Sequence, residues 1–321
     1  MINIEFEKGA GLGNQLWLYA SMRGIAKHLN KKFSITNYDN FKGKDFLLID
    51  KGIENQDLNF KDFFEELIYD DYYNTLVANF DNAINYTSGN FKLNGIFQSE
   101  KYFFGDTKNL YNWITPSNKI LEKSKNYKNK IIINIRGGEY KRHKDLLLPK
   151  SYWDNAIFSM KKKYPKNDMI IVTDDFHYSR DLFNDLDIIS DDVEECYAAL
   201  YGAKSLIISN SSFSYFPIKT RKDKPFVIDP KNWARYNNIY NLWISPANFY
   251  SDWYYLDSNK NLKSYDDLQS DLKKTILYFD EKFKLKISSK NKIVKNKYYF
   301  IPKFLKIFLK AILKIINPKK F

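Results

Sequence analysis

The chain has 321 residues, 44% of them apolar and 17% aromatic, which is ample core material and excludes a mainly disordered protein. Its 51 basic residues outnumber 38 acidic ones for a formal charge of +13, a balance that points to nucleic acid, an anionic membrane or an acidic substrate. One cysteine, Cys196, excludes an intramolecular disulfide and a multi-cysteine zinc site, and three widely spaced histidines form no metal-ligand pattern.

The N-terminal stretch Met1–Glu7 is acidic and carries no signal-peptide pattern. Alternation predicts a strand at Ile2–Phe6, followed by a glycine turn, a helix over Asn14–Leu29 and a strand at Phe33–Thr36. Residues 40–90 are aromatic-rich, with one helix suggested by Phe63, Phe64, Leu67 and Ile68. A strand is expected at Phe91–Phe97, a helix or loop at Glu100–Leu110, and a polar linker at Ser117–Lys130. A regular rhythm follows. Strands are expected at Ile131–Ile135, Met169–Thr173, Asp187–Ile189, Ser205–Ser209 and Phe226–Ile228, and helices at Tyr152–Tyr164, Tyr178–Asn184 and Val193–Tyr201. Such alternation implies βαβ units and a parallel sheet. Ligands of these sheets sit at the carboxyl ends of the strands, so the loops after Phe6, Ile135, Thr173 and Ser209 are where chemistry is expected.

The first loop, Gly9-Ala10-Gly11-Leu12-Gly13-Asn14-Gln15, leads from a strand into a helix, a setting in which glycines admit a close anion. It also resembles a dinucleotide fingerprint, but Asn14 stands where the third glycine of Gly-x-Gly-x-x-Gly is needed, which counts against a nicotinamide oxidoreductase. In the second loop Arg136 emerges from a buried strand onto Gly137, Gly138 and Glu139. A guanidinium binds phosphate in bidentate fashion; the alternative is an Arg136–Glu139 pair that closes the turn. In the third loop Asp174 and Asp175 could accept hydrogen bonds from a base or sugar, or cap the next helix. In the fourth, Asn210, Ser211, Ser212 and Phe213 precede a helix, where hydroxyls suit phosphate oxygens or serve as caps. Asp185 and Asp187 have the spacing of a metal–nucleotide motif by chance, and Cys196 reads as inert core. His143 reads as solvated in a lysine-rich loop.

The charge is not spread evenly. No acid follows Glu281, and Lys282–Phe321 holds 13 of the 51 basic residues, all lysine, which leaves 38 basic against 38 acidic residues in the body. Within this tail, residues 298–316 include Pro302 and lysines 303, 306, 310 and 314. On a helix these four lysines fall within about 80° of arc, with the rest of the surface apolar. That pattern suits a helix lying in the plane of an anionic bilayer; the alternative is a helix packed on the body. Nucleic acid is disfavoured, because the tail lacks arginine and its apolar face is broad.

Taken together, the loops resemble the α-1,2-fucosyltransferases of glycosyltransferase family 11. Gly9–Leu16 is similar to that family's opening Gly-Gly-x-Gly-Asn-Gln, and Gly95–Phe103 is nearly identical to its Gly-Tyr-Phe-Gln-Ser-Glu-Lys-Tyr-Phe segment. Asn134–Tyr140 looks like its His-x-Arg-Arg-Gly-Asp-Tyr motif, with Asn134, Gly137 and Glu139 replacing the His, second Arg and Asp. Leu148–Trp153, Thr173–Asp175 and Asn210–Phe216 match its remaining motifs in order, so the resemblance covers about residues 1–235.

The resemblance implies an α/β, GT-B-like enzyme with two Rossmann-type domains of parallel sheets: an acceptor-side domain over 1–127 and a donor domain over 128–281, with the basic amphipathic tail at 282–321. It implies GDP-fucose as donor, a glycan acceptor, inversion at the anomeric carbon, and neither metal nor cofactor. Arg136 would grip the leaving β-phosphate, where charge builds in the transition state. Asn134 and Asp174 or Asp175 would face the base; Gly11, Gly13, Gly137, Gly138, Asn210, Ser211, Ser212 and Phe213 would line the donor. Asn14 would sit over the reaction centre, Glu139 is the candidate base, and Gln15, Gln98 and Glu100 belong to the acceptor side. Another nucleotide-sugar donor, or a non-catalytic glycan-binding relative, remains the alternative. The expected place is the cytoplasmic face of a membrane.

Overall fold

The computed structural model describes residues 1–54, 60, 62–66, 69–70, 76–77, 80–142, 146–190, 192–231, 236–237, 242–243, 249–275, 277 and 293–295. His143 and the amphipathic stretch 298–316 lie outside the described residues.

Two sheets organise the chain. In the first, β1 (Ile2–Glu5), β2 (Phe33–Thr36), β3 (Asp62–Glu65) and β4 (Phe91–Asn94) run parallel in the order β3-β4-β1-β2. The helix α1 (Leu12–His28) makes the crossover from β1 to β2 and buries Leu16, Trp17, Ala20 and Ile25. The strand β12 (Ile293–Lys295), contributed by the lysine-rich C-terminal segment, pairs antiparallel with β3 at the edge. The expected helix around Phe63 and Phe64 is the strand β3: Phe64 is fully buried and Phe63 is not, the period-two pattern of a strand with one face on the core.

The second sheet holds β5 (Ile131–Ile135), β6 (Met169–Thr173), β7 (Asp187–Ile189), β8 (Ser205–Ile208), β9 (Phe226–Pro230), β10 (Tyr254–Leu256) and β11 (Leu262–Lys263). Their order is β7-β6-β5-β8-β9-β10-β11, parallel except for the final antiparallel pair. The first six strands follow the doubly wound order 3-2-1-4-5-6, in which the chain reverses direction across the sheet between its first and fourth strands. Those strands are β5 and β8. All five residues of β5 are buried, as a strand covered on both faces requires.

The stretch expected as a polar linker is instead α2 (Asn118–Ser124). Ser117 caps it by accepting the Ile120 N–H, Ile120 is fully buried, and Lys123 pairs with Glu194 and Glu195 of α5 (Val193–Gly202) at 2.9 Å each. The helices α3 (Lys150–Lys163), α4 (Phe176–Leu182) and α6 (Ser212–Lys219) complete the second set of crossovers. One apolar core joins the two sheets, and a second packs β5, β6 and β8 of the second sheet against α3. Trp17 of α1 lies 4.2 Å from the Tyr215 ring of α6 and 5.5 Å from Phe103. Gly13 sets how closely the helices meet, since a Cβ there would lie 2.5 Å from the Ser212 carbonyl carbon.

Candidate active site

A cleft of about 620 Å³ opens at the carboxyl ends of β5, β6, β8 and β9 and is closed on the other side by the loop after β1 and the start of α1. Its position at the β5/β8 reversal is the one at which doubly wound sheets take their ligands. The second and fourth loops of the sequence therefore face each other there, and the first loop covers them.

Arg136 enters the cleft directly after β5. Its Nη1 pairs with Asp174 Oδ2 at 2.6 Å, and its guanidinium carbon lies 5.5 Å from the centre of the Tyr140 ring. Asp174 Oδ1 accepts the Gly137 N–H at 2.8 Å, so one carboxylate fixes both the arginine and the turn behind it. The pairing foreseen as an alternative, Arg136 with Glu139, is replaced by Arg136 with Asp174. Glu139 lines the cleft and is exposed. A guanidinium carries five N–H donors, and Asp174 engages Nη1, so the fork keeps donors for an anion.

Across the cleft, Asn14 is pinned. Its Oδ1 accepts from Gln98 Nε2 and from Ser212 Oγ, both at 2.8 Å. One amide thus ties α1 to the segment after β4 and to the start of α6. Gly11 caps α1 in open space, whereas Gly13 is a packing glycine against the Ser212 backbone. Ser211 caps α6 by accepting the Phe213 N–H at 3.3 Å, and Phe213 packs against Tyr197. The peptide N–H groups of this helix start are the natural partner of an anion.

Three polar atoms lining the second sheet's side of the cleft are buried and have no hydrogen-bond partner among the described residues: Asn134 Oδ1, Ser209 Oγ and Asn210 Oδ1. Asn134 is 5% exposed; its Nδ2 donates to the Val172 carbonyl at 3.2 Å, which leaves the oxygen for the cleft. A buried polar group without a partner is costly, and a ligand supplying donors would remove that cost.

Three expected site residues are placed elsewhere. Asp175 is absent from the cleft wall. It caps α4 by accepting the Tyr178 N–H at 3.0 Å and pairs with Lys141. Burial alone would raise its carboxyl, but Lys141 and the Tyr178 N–H hold it below the usual range. Gln15 is buried, donating to the Asn40 carbonyl at 2.8 Å and accepting the Lys42 N–H at 2.9 Å, which positions a loop rather than an acceptor. Glu100 accepts from the Tyr215 hydroxyl at 2.7 Å and lies 3.5 Å from Lys219, bracing α6. Gln98 does reach the cleft, as do Gly11, Gly13, Asn210, Ser211, Ser212 and Phe213, while Gly137 and Gly138 shape the turn behind it.

The structure also brings in residues the sequence reading passed over. Cys196, expected to be inert core, is 6% exposed and borders the cleft beside Val193 and Val172. Asp229, Tyr250 and Trp253 line the far end. Asp229 had a signal, an acid at the carboxyl end of a strand, but the strand was expected to stop at Ile228 and in fact runs to Pro230. Among the described residues no cluster of His, Cys, Asp and Glu could hold a metal ion, and no helix is long and apolar enough to cross a membrane.

No protein-family model matches the chain, and no curated protein matches it. Among solved structures it is similar to an FUT1 mutant from Arabidopsis thaliana in complex with GDP, at 12% identity and a TM-score of 0.44, over 72% of this chain and 71% of that one. It is similar to the fucosyltransferase NodZ from Bradyrhizobium at 12% identity and a TM-score of 0.41, over 67% of this chain and 91% of that one. A third is POFUT1 in complex with GDP, at 11% identity and a TM-score of 0.33, over 44% of this chain; the chain spans about half, 54%, of the POFUT1 chain it matches. The residues of the cleft, not these likenesses, are what point to a ligand.

Proposed function

We propose that the chain is a glycosyltransferase that moves a sugar from a nucleotide diphosphate donor, GDP-fucose by its sequence motifs, to a hydroxyl of a glycan. The observation that carries this is one juxtaposition: Arg136 and the Ser211-capped start of α6 flank the β5/β8 reversal, in a cleft also lined by Asn14. A cationic fork and a helix start on two sides of one cleft suit a diphosphate.

In the reaction the acceptor oxygen forms a bond to the anomeric carbon as that carbon's bond to the phosphate oxygen breaks. The leaving diphosphate takes the electron pair, and the hydroxyl proton passes to a base. Arg136 acts on the leaving group, where negative charge grows. Glu139, exposed at the cleft wall, is the candidate base, and attack from the face opposite the phosphate inverts the centre. The linkage proposed from the motifs is α-1,2 to a galactose-type residue, without a metal. Asn134 in place of the family's histidine favours a second reading, a donor with a different base, because its free oxygen is what the base would meet. The lysine tail is proposed to hold the enzyme at an anionic membrane, on its cytoplasmic face.

Calorimetry with GDP, followed by a radiolabelled transfer assay, tests the reading. Wild type should bind GDP, and Arg136→Ala should lower that affinity by roughly 10- to 100-fold, the worth of a charge-assisted contact of about 1.5–3 kcal/mol. Absence of binding to every nucleotide diphosphate, or unchanged affinity in the variant, overturns it.

A further inference from the structure

The end of the cleft away from Arg136's strand partner β6 has a different chemistry. It is walled by the aromatic rings of Tyr215, Tyr250 and Trp253, with the Tyr250 and Trp253 centroids 4.6 Å apart and those of Tyr215 and Tyr250 4.8 Å apart. Trp253 is 3% exposed, and its Nε1–H is buried with no hydrogen-bond partner among the described residues. Asp229, at the carboxyl end of β9, is 8% exposed and lines the same end of the cleft. Tyr215 ends the Asn210–Phe216 segment, but neither the motifs nor the mechanism uses Asp229, Tyr250 or Trp253.

The nearby cation is already committed. Lys219 lies 5.1 Å and 5.5 Å from the Tyr250 and Trp253 ring centres, but it is paired with Asp252 and Glu100 and does not line the cleft. A phosphate would meet a carboxyl here with no cation to offset it. Burial pushes the Asp229 carboxyl well above the usual range, toward the neutral form that donates a hydrogen bond. An apolar wall carrying one indole donor and one buried carboxyl suits a neutral polyhydroxylated ring: a hydroxyl satisfies the unpartnered indole N–H, another meets the carboxyl, and C–H faces cover the rings.

The geometry points to a pyranose subsite at the β9 end of the cleft, in which Trp253 Nε1 and the Asp229 carboxyl bond sugar hydroxyls against the wall of Tyr250. It deepens the glycosyltransferase reading, and rests on that reading only for which sugar arrives there, the donor's or the acceptor's.

The indole N–H resonance of Trp253, assigned by its loss in Trp253→Phe, gives a direct readout on the intact chain. Titration with GDP, GDP-fucose and a galactose-terminated oligosaccharide separates the outcomes. If the resonance moves with GDP-fucose and not with GDP, the subsite holds the donor sugar, and Trp253→Phe and Asp229→Ala should each lower GDP-fucose affinity roughly tenfold with GDP affinity unchanged. If it moves with the oligosaccharide instead, the subsite holds the acceptor, and the same variants should raise the acceptor KM with donor affinity unchanged. Movement with a sugar in a chain that binds no GDP removes the nucleotide-sugar reading and leaves the subsite standing. GDP binding with no movement by either sugar overturns the subsite and leaves that reading intact, and no response to any of the three overturns both.

Discussion

The motif that Asn134–Tyr140 resembles has a second arginine where this chain has Gly137, and the surroundings of Gly137 show why none fits here. A Cβ at Gly137 would lie 2.7 Å from the Asp175 Cβ and 2.9 Å from the Tyr178 ring, and one at Gly138 would lie 2.2 Å from Asp174 Oδ2. The space is filled by the α4 cap, and the cation there is Lys141, paired with Asp175. Gly137→Arg should therefore displace the cap and lower stability by about 1–3 kcal/mol, read by denaturant melts, without tightening GDP binding; tighter binding at unchanged stability would refute this account. A second buried acid gives a pH signature. Glu66 Oε2 accepts the Ile96 and Phe97 N–H groups at 2.7 Å each, holding the segment that presents Gln98. Burial raises its carboxyl to about 7, against those two hydrogen bonds, which favour the charged form. Because the folded chain holds this proton more tightly than the unfolded one, the bonus is full below pH about 4.5 and is lost as pH rises to about 7, about 3 kcal/mol in all. Glu66→Gln keeps an acceptor and removes the titration. The stability difference between wild type and variant should shift against wild type across that window, and a difference independent of pH would rule the idea out.

Among the elements, the start of α1 against the start of α6 decides the width of the cleft. Gly13→Ala would place a methyl 2.5–2.7 Å from three backbone atoms of Ser212 and Phe213, atoms that cannot turn aside as a flexible side chain can. The expected result is a loss of about 1–3 kcal/mol and weaker hold of any ligand gripped by both helix starts, whereas Gly11→Ala, in open space, should leave stability within about 0.5 kcal/mol. Equal effects of the two variants on thermal melts would show that the contact is not tight. The same contact marks what was legible in the sequence. β5 and β6 end where their apolar runs end, because strands buried on both faces carry continuous signals, and the loops after them could be located from those runs. Helix α2 is hard to read because its seven residues bury a single apolar side chain, Ile120, amid lysines, while β3 reads as a helix because the adjacent pairs Phe63-Phe64 and Leu67-Ile68 fit a helical spacing. Gln15 and Glu100 sit inside convincing motifs, yet a motif does not say which way a side chain turns; Trp253 lies far along the chain from every loop it joins.

Over the whole molecule, the net charge of +13 describes two objects rather than one. The residues before Lys282 balance at 38 basic and 38 acidic, so the anion proposed for the cleft would be held by one arginine and a helix start, not by a general positive field. The 13 lysines after Glu281 then call for a separate partner, and the proposed one is an anionic bilayer. Full-length protein should sediment with phosphatidylserine vesicles, less so as salt is raised past the point where the screening length falls below about 10 Å, and not with neutral vesicles. The position of the cut matters, because Ile293–Lys295 forms the edge strand β12 against β3. A chain ending at Lys297 keeps that strand and should lose vesicle binding while keeping its melting temperature and its affinity for GDP. A chain ending at Glu281 should lose vesicle binding and stability together, since the edge of the first sheet goes with the tail. Vesicle binding that survives the Lys297 truncation would assign the lysines to some other role, and a melting temperature that drops with it would place residues after 297 in the fold rather than at a membrane.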